Sequence, residues 1–525
     1  VTIYKHLGEW LSWSSVVNAA PGPVDDTRLY YTGDGVPKML KTSTVYALAL
    51  AGPVVKLTAT LGGAGAGDVV TRVYVYTWVT DFGEESEPSP ASDPIDWQPG
   101  NTVTLSGFGS TPAARNITKQ RIYRSQTGQS GTYLYLIAER SAAATDYADA
   151  IAVDAFQEPL PSADWNPPPD DLAGLVAMPN GMMAGFSGRR VFFCEPFRPH
   201  AWPEKYALTC DSGIVGLASI DNALIITTEA NPYIAIGATP ASMQMDRIDS
   251  NWPCINARGI VDLGYATCYP THEGLVLVQG NGGTALVTAS MFSRDDWKRL
   301  APESMLGAQL SGRYVAFFDT VTAEGEVVAG SMAIVTGEGA FLSRTDTRAR
   351  ATYFDVGEAA LYYVPHEADE IWRFDDPSGA LTTQYWQSKQ FVLPYPENFG
   401  AIQIDADTTV SAADIDAADV LRAGVIAANA VLIAAGSIGG ELNGGLINAL
   451  ALNGDNLAPL PPAAGTVVVG VIADGVRVAD ITVTNRPTRL PGGFKARTWE
   501  IDVTGTLSLT SIVMGRTMDD ISATP

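Results

Sequence analysis

The residues that could carry chemistry in this 525-residue chain are few and scattered. Its four histidines, His6, His200, His272 and His366, lie in separate segments, and His200 stands among prolines, where an exposed loop is the simplest reading. The four cysteines, Cys194, Cys210, Cys254 and Cys268, form no C-x-x-C pair, and each falls in or beside an expected strand. They read as buried free thiols rather than zinc ligands. Asp405 and Asp407 alternate onto one face of a strand, but no twelve-residue calcium loop follows them, which leaves a solvated edge. Asp319, Asp355, Glu370, Asp375 and Asp376 could supply the carboxylate pair that a glycosidase needs at the mouth of a propeller; charged loop tips account for them more simply. There is no P-loop, no dinucleotide-binding glycine fingerprint after a strand and no G-x-S-x-G elbow. The expectation is a protein that is not an enzyme, with no catalytic residue, cofactor or metal.

One cluster stands out by sign. Arg486, Arg489, Lys495 and Arg497 gather in a single short segment of a chain that is otherwise acidic, with 57 Asp and Glu against 33 Lys and Arg and a net charge of -24. These four are the candidate interface or channel residues; a phosphate contact, a subunit interface and a solvated loop are the readings open to them. The acidic balance argues against stable nucleic-acid binding, because such a surface repels phosphates. It is the balance of a soluble protein, the simpler reading, and also that of a surface along which DNA slides without sticking.

The elements that must position these residues are short strands. Hydrophobic residues make up 46% of the chain, with 51 Gly and 33 Pro, a composition that suits strands joined by tight turns. The fold class expected is all-β with a small helical insertion. Residues 1–50 hold Trp10, Trp13 and a hairpin turned at Gly33-Asp34-Gly35, expected to add strands to a propeller or platform formed by later residues. Residues 51–160 alternate cleanly, with Arg72, Tyr74, Tyr76 and Trp78 on one strand face and Val73, Val75, Thr77 and Val79 on the other, as in a small β-sandwich. Between its strands, residues 81–90 read as a turn and an edge blunted by charge and proline.

After the stiff Pro167-Pro168-Pro169 linker, residues 165–395 read as a β-propeller. Asn180-Gly181, Ser187-Gly188 and Asp221-Asn222 mark hairpin turns, and five units recur every forty to fifty residues, the period of a four-stranded blade. A strand from elsewhere could complete the ring. Residues 396–525 form a C-terminal β-domain interrupted at about 408–464 by an Ala-rich helical insertion, with Asp414, Asp416 and Asp419 near its start. Its longest uncharged stretch, 423–440, is short, Ala- and Gly-rich and contains Asn429, so no membrane span is expected. No secretion signal is evident at the start.

Several motifs together resemble a known family. The propeller is accompanied by a segment similar to the fibronectin type III fold, carried by Val75-Tyr-Thr-Trp-Val, Gly83-Glu-Glu-Ser, Arg121-Ile-Tyr-Arg-Ser and Asp146-Tyr. With Leu160-Pro-Ser-Ala-Asp-Trp-Asn-Pro-Pro-Pro, Glu195-Pro-Phe-Arg-Pro-His-Ala-Trp-Pro and Arg489-Leu-Pro-Gly-Gly-Phe-Lys-Ala-Arg-Thr-Trp-Glu, the set resembles the tail nozzle, or tail tubular, proteins of short-tailed bacteriophages. The resemblance implies a structural virion protein assembled in the bacterial cytoplasm, a homohexameric ring below the portal and adaptor, fibres or a needle as neighbours, and a conduit and gate for DNA ejection without sequence-specific binding. The helical insertion matches no motif of that family. The alternative is a glycan-binding receptor-recognition module, in which Trp202, Trp252 and Trp297 could stack on sugars if exposed, although buried anchoring of loops is the simpler reading for them; a propeller glycosidase is the third reading.

Overall fold

A computed structural model describes residues 1–522 apart from 114, 129–130, 153–156, 323–324, 337–340, 377, 380, 408–411, 436–456 and 462–464. The chain is all-β with a small helical part and divides into two units, Val1–Phe374 and Asp375–Pro525.

In the first unit, seven small antiparallel sheets follow one another round a circle. The five blades expected from the repeat begin at Ala173–Ala177, Ile214–Ile220, Val261–Asp262, Leu306–Leu310 and Ala349–Asp355. The first four of these have four strands and the last has three. The turns follow their residues: Asn180 and Gly181 take φ of 60° and 73°, and Asp221 takes 49°, conformations that Asn, Asp and Gly tolerate.

The ring is closed by the start of the chain, with more than the single strand expected. The Gly33-Asp34-Gly35 hairpin adds to no later sheet; it is the middle of its own four-stranded blade, Asn18–Pro21, Arg28–Thr32, Lys38–Lys41 and Thr44–Ala47. Before it, the hairpin Thr2–His6 and Glu9–Trp13 is wedged between that blade and the last one. Ile3 is buried with Ala351 and Val364, and the Trp10 ring meets Tyr353 and Tyr362 edge-on at 5.7 and 5.2 Å. On its other side Trp13 lies 5.3 Å from Tyr31. Each of the seven neighbouring pairs of sheets shares its own apolar cluster.

The sandwich interrupts the ring between two blades. Its facing sheets are built on Thr58–Gly62, Thr102–Ser106 and Tyr147–Asp149, and on Tyr74–Thr80, Ile117–Gly128 and Gly131–Ser141. Tyr74, Tyr76 and Trp78 fill the core with Leu57, Val103, Leu105, Ile122 and Ile137, as their alternation requires.

Residues 81–90 are not the solvated edge that their charge suggests. The hydroxyls of Ser86, Ser89 and Ser92 accept hydrogen bonds from the backbone N–H groups of Trp78, Tyr76 and Tyr74 at 3.0–3.1 Å, and their own N–H groups donate back to the same three residues. A serine at every third position thus covers a strand edge that would otherwise be open. The acids dock the sandwich onto the ring. Buried Glu84 accepts from Arg28 of the second sheet at 3.0 Å and from Arg115, whose other nitrogen donates to the Ala47 carbonyl. Glu85 accepts from Thr77, Tyr123 and Arg121.

His200 belongs to the same junction and is buried, not exposed. The three prolines around it do take the chain out of the sheet, but they fold it inward: Nε2 lies 3.1 Å from the Glu85 carbonyl, and the ring meets Trp165 edge-on. Since a carbonyl only accepts, Nε2 carries the proton, and Nδ1 is buried without a partner among the described residues.

In the second unit two sheets enclose one core of Ile402, Ile404, Val467, Val469, Val471, Trp499 and Val503. Gln384–Gln387 and Phe391–Glu397 pair with Ala496–Gly505, so the propeller ends at Phe374 rather than at 395; these strands complete the C-terminal sheet. The expected insertion contains the helix Ala412–Ala435, placed between strands Ala401–Asp407 and Val467–Ala473 of that one unit.

Two measurements test this architecture. Ile3→Ala removes buried contact at the point of closure and is expected to cost about 2–5 kcal/mol in urea unfolding. Burial holds the His200 imidazole down from 6.5 to about 4. Below pH 6.5 the unfolded chain therefore takes up a proton that the folded one refuses until about pH 4. Stability is full above that window and falls through it by up to about 3 kcal/mol. His200→Gln is expected to flatten this part of the pH profile of the unfolding midpoint.

Candidate functional site

The four cations singled out by sign all belong to the second unit, along one connection between its two sheets. Arg489 ends the short strand Thr488–Arg489 beside Ala401; Arg486 precedes it, and Lys495 and Arg497 lead into the strand Ala496–Gly505. All four are exposed, and among the described residues none forms an ion pair. Asp474 organises the approach: its carboxylate accepts from the N–H groups of Thr498 and Arg497 at 2.8 and 3.0 Å, and these bonds, Thr498 first, hold it below its ordinary pKa. The Arg497 guanidinium donates to the Leu393 carbonyl at 3.3 Å, which joins the cationic loop to the neighbouring edge.

That edge is aromatic. Tyr385, Trp386, Phe391, Val392 and Tyr395 are 46–76% exposed along strands Gln384–Gln387 and Phe391–Glu397. Behind them Trp499 is buried between Phe399 at 5.0 Å and Phe494 at 6.0 Å, so the face has a firm backing. Sequence reasoning missed this patch. The available signal was Tyr385 next to Trp386: consecutive strand residues point to opposite faces, so both cannot enter one core. An edge with aromatics exposed on both of its faces, and Arg497 beside it, has the composition of a protein interface.

The other candidates are not brought together. Asp319 accepts from Arg348 at 3.0 Å and lies 3.0 Å from His366 Nδ1, whereas Asp355 lies 3.3 Å from Lys5 and Glu370 accepts from Trp372. Asp376 accepts from Ser378 within its own turn. Asp405 accepts from Ser511 and Gln403, which lower its pKa in that order. Among the described residues no three His, Cys, Asp or Glu side chains are placed to share an ion. Trp202 and Trp297 are buried, their indole N–H groups donating to the carbonyls of Pro199 and Thr271, and Trp252 is half-buried; they anchor loops rather than offer stacking faces. The cysteines are all free and buried, and burial pushes the Cys194 thiol up to about 12.

The ring has a cleft at its inner strands, with a volume of about 380 Å³. Small side chains, Ala19, Ala177 and Ala218, line it with Asn18, Ser219 and Asp262. Burial raises the Asp262 carboxyl above its ordinary range.

No family model matches the chain, and no curated protein is similar to it. Among solved structures, it is similar to the extracellular domain of a putative hybrid two-component system from B. thetaiotaomicron, at 9% identity and a TM-score of 0.26, over 62% of this chain and 40% of that one. It is also similar to a functionally unknown protein from Desulfotomaculum acetoxidans, at 10% identity and a TM-score of 0.23, over 66% of this chain and 88% of that one. The tricorn protease matches at 10% identity and a TM-score of 0.26, over 68% of this chain and 44% of that one. The chain thus spans less than half the length of the first and third of these.

If the aromatic strip serves contact rather than folding, Trp386→Ala and Tyr395→Ala are expected to leave urea stability within about 0.5 kcal/mol of the parent. Trp499→Ala, which empties the core behind them, is expected to cost about 3–5 kcal/mol in the same experiment.

Proposed function

We propose that this chain is a structural virion protein, a subunit of the tail nozzle of a short-tailed bacteriophage, assembled in the bacterial cytoplasm into a ring that conducts and gates DNA. The observation that carries the reading is the aromatic edge with its four unpaired cations on a chain of net charge -24. Such a face is electrostatically complementary to the acidic surface of another copy. The sheet behind it has a second, different edge at Val476–Ile481. Contact between two unlike edges of identical subunits is head-to-tail and closes into a ring when the rotation allows. Six copies, an adaptor above and fibres or a needle beside the ring are what the family resemblance adds.

In this reading DNA passes along the axis of the assembled ring of subunits, not through the propeller of one subunit. The acidic exterior suits passage without retention. The propeller serves as a rigid body, and opening is a shift between two arrangements of subunits. The aromatic strip is also the surface on which a sugar-binding reading now rests, since Trp202 and Trp297 are buried.

Immunogold electron microscopy on particles from a producing culture tests the assignment. Gold at the distal end of a short tail is the expected result; labelling of cell surfaces only, with accessible epitopes confirmed, overturns it. Mass photometry tests the contact. The parent chain is expected to form closed rings, and Trp386→Asp combined with Arg489→Glu to remain monomeric with unchanged unfolding. A parent that stays monomeric but binds a glycan array through Trp386 favours the receptor-recognition module instead.

A further inference from the structure

The helix Ala412–Ala435 is the feature that the proposed function does not use. Its final stretch, Asp416–Ala435, has 20 residues and a mean hydropathy of 1.7, yet only 6% of it is buried. Val420, Leu421, Ile426, Val431 and Ile433 are 54–71% exposed and fall on all sides of the helix. A water-facing helix shows one apolar stripe and one polar face; one that is apolar all round belongs in a protein core or in lipid. The uncharged part, Ala423–Ala435, reaches about 20 Å at 1.5 Å per residue, enough to enter most of a hydrocarbon layer about 30 Å thick.

Charge and hydrogen bonding match that environment. Ionisable residues stand at the helix start, at Asp416, Asp419 and Arg422, and none occurs from 423 to 440. Asn429 is the one polar side chain between Ala423 and Ala435, and both ends of its amide are paired: Nδ2 donates to the Ala458 carbonyl at 2.8 Å and Oδ1 accepts from the Ala458 N–H at 2.9 Å. Arg422 donates to the Pro461 carbonyl. The returning segment presents Leu457 and Leu460 outward, and its Pro459 and Pro461 have no N–H to satisfy. Exposed to water, such pairing would gain little; in hydrocarbon an unpaired amide costs several kcal/mol.

We propose that this helix, with residues 457–461 bonded beside it, inserts into a lipid bilayer. A second copy of the chain is the competing occupant, but packing against one would cover a single face and leave the other apolar faces in water. The inference stands independently of the nozzle reading.

The test uses the full chain with an environment-sensitive fluorophore on Val431→Cys; the four native thiols are buried and leave the label selective. Phosphatidylcholine vesicles are the probe, because the net charge of -24 would be repelled by anionic lipid. A blue shift and severalfold brightening on adding vesicles, quenched when the acyl chains carry bromine, is the expected result. The same label on Val356→Cys, 80% exposed on the propeller, is expected not to respond. Adding Ile426→Asp should abolish the response with unfolding unchanged, because the site is exposed. An unmoved spectrum at 431 overturns the proposal. A blue shift that appears without lipid and grows with protein concentration overturns it in favour of a second copy.

Discussion

Closure of the ring is the constraint on which the first unit depends. Among the described residues no strand is paired in a ladder with a strand of the next sheet round the circle, so the circle is held by side-chain packing, by single bonds such as Leu175 N–H to Thr32 Oγ1, and by the first residues of the chain. The hairpin Thr2–His6 and Glu9–Trp13 supplies the last wedge, bringing Ile3 against Ala351 and Lys5 against Asp355 and Glu358. Contacts so distant in sequence form only after a large loss of chain entropy, which the apolar clusters along the circle must offset together. Arg258 ties the same region from within, its guanidinium donating to the carbonyls of Val1 and Arg350 at 3.1 and 2.9 Å.

Buried charge has a different task from exposed charge in this chain. Glu84 with Arg28 and Arg115 fixes how the sandwich meets the ring, and Asp149 with Arg124 fixes the interior of the sandwich. Ion pairs of this kind contribute little net stability, because desolvation offsets their attraction, but they admit only one docking geometry. The four cations of the C-terminal loop have no such partners among the described residues. In the proposed assembly their complement would be the acidic surface of another copy.

Rigid and exposed parts are also separated along the chain. The sheets of the ring and the sandwich present closed cores, whereas the apolar helix and the aromatic edge both belong to Asp375–Pro525. Contacts with copies and with lipid, as proposed, would then fall on that one unit. The first unit would hold its form while those contacts change.

Much of the fold was legible in the sequence because it is fixed locally. Five blade starts, the turns at Asn180-Gly181 and Asp221-Asn222, the Tyr74-Tyr76-Trp78 core stripe and the Ala-rich helix all follow from backbone preference and the spacing of apolar side chains. The isolated cations were visible as a reversal of sign. What the sequence could not decide was burial. Nothing near residue 200 marks His200 as interior, and nothing near residue 84 marks Glu84 as a buried anchor rather than an edge charge. The same holds for the wedge at Ile3 and for the exposed helix face at Val431. Strand and turn are settled by neighbours a few residues away, whereas burial depends on which distant surface folds against a residue, and only the tertiary structure supplies that surface.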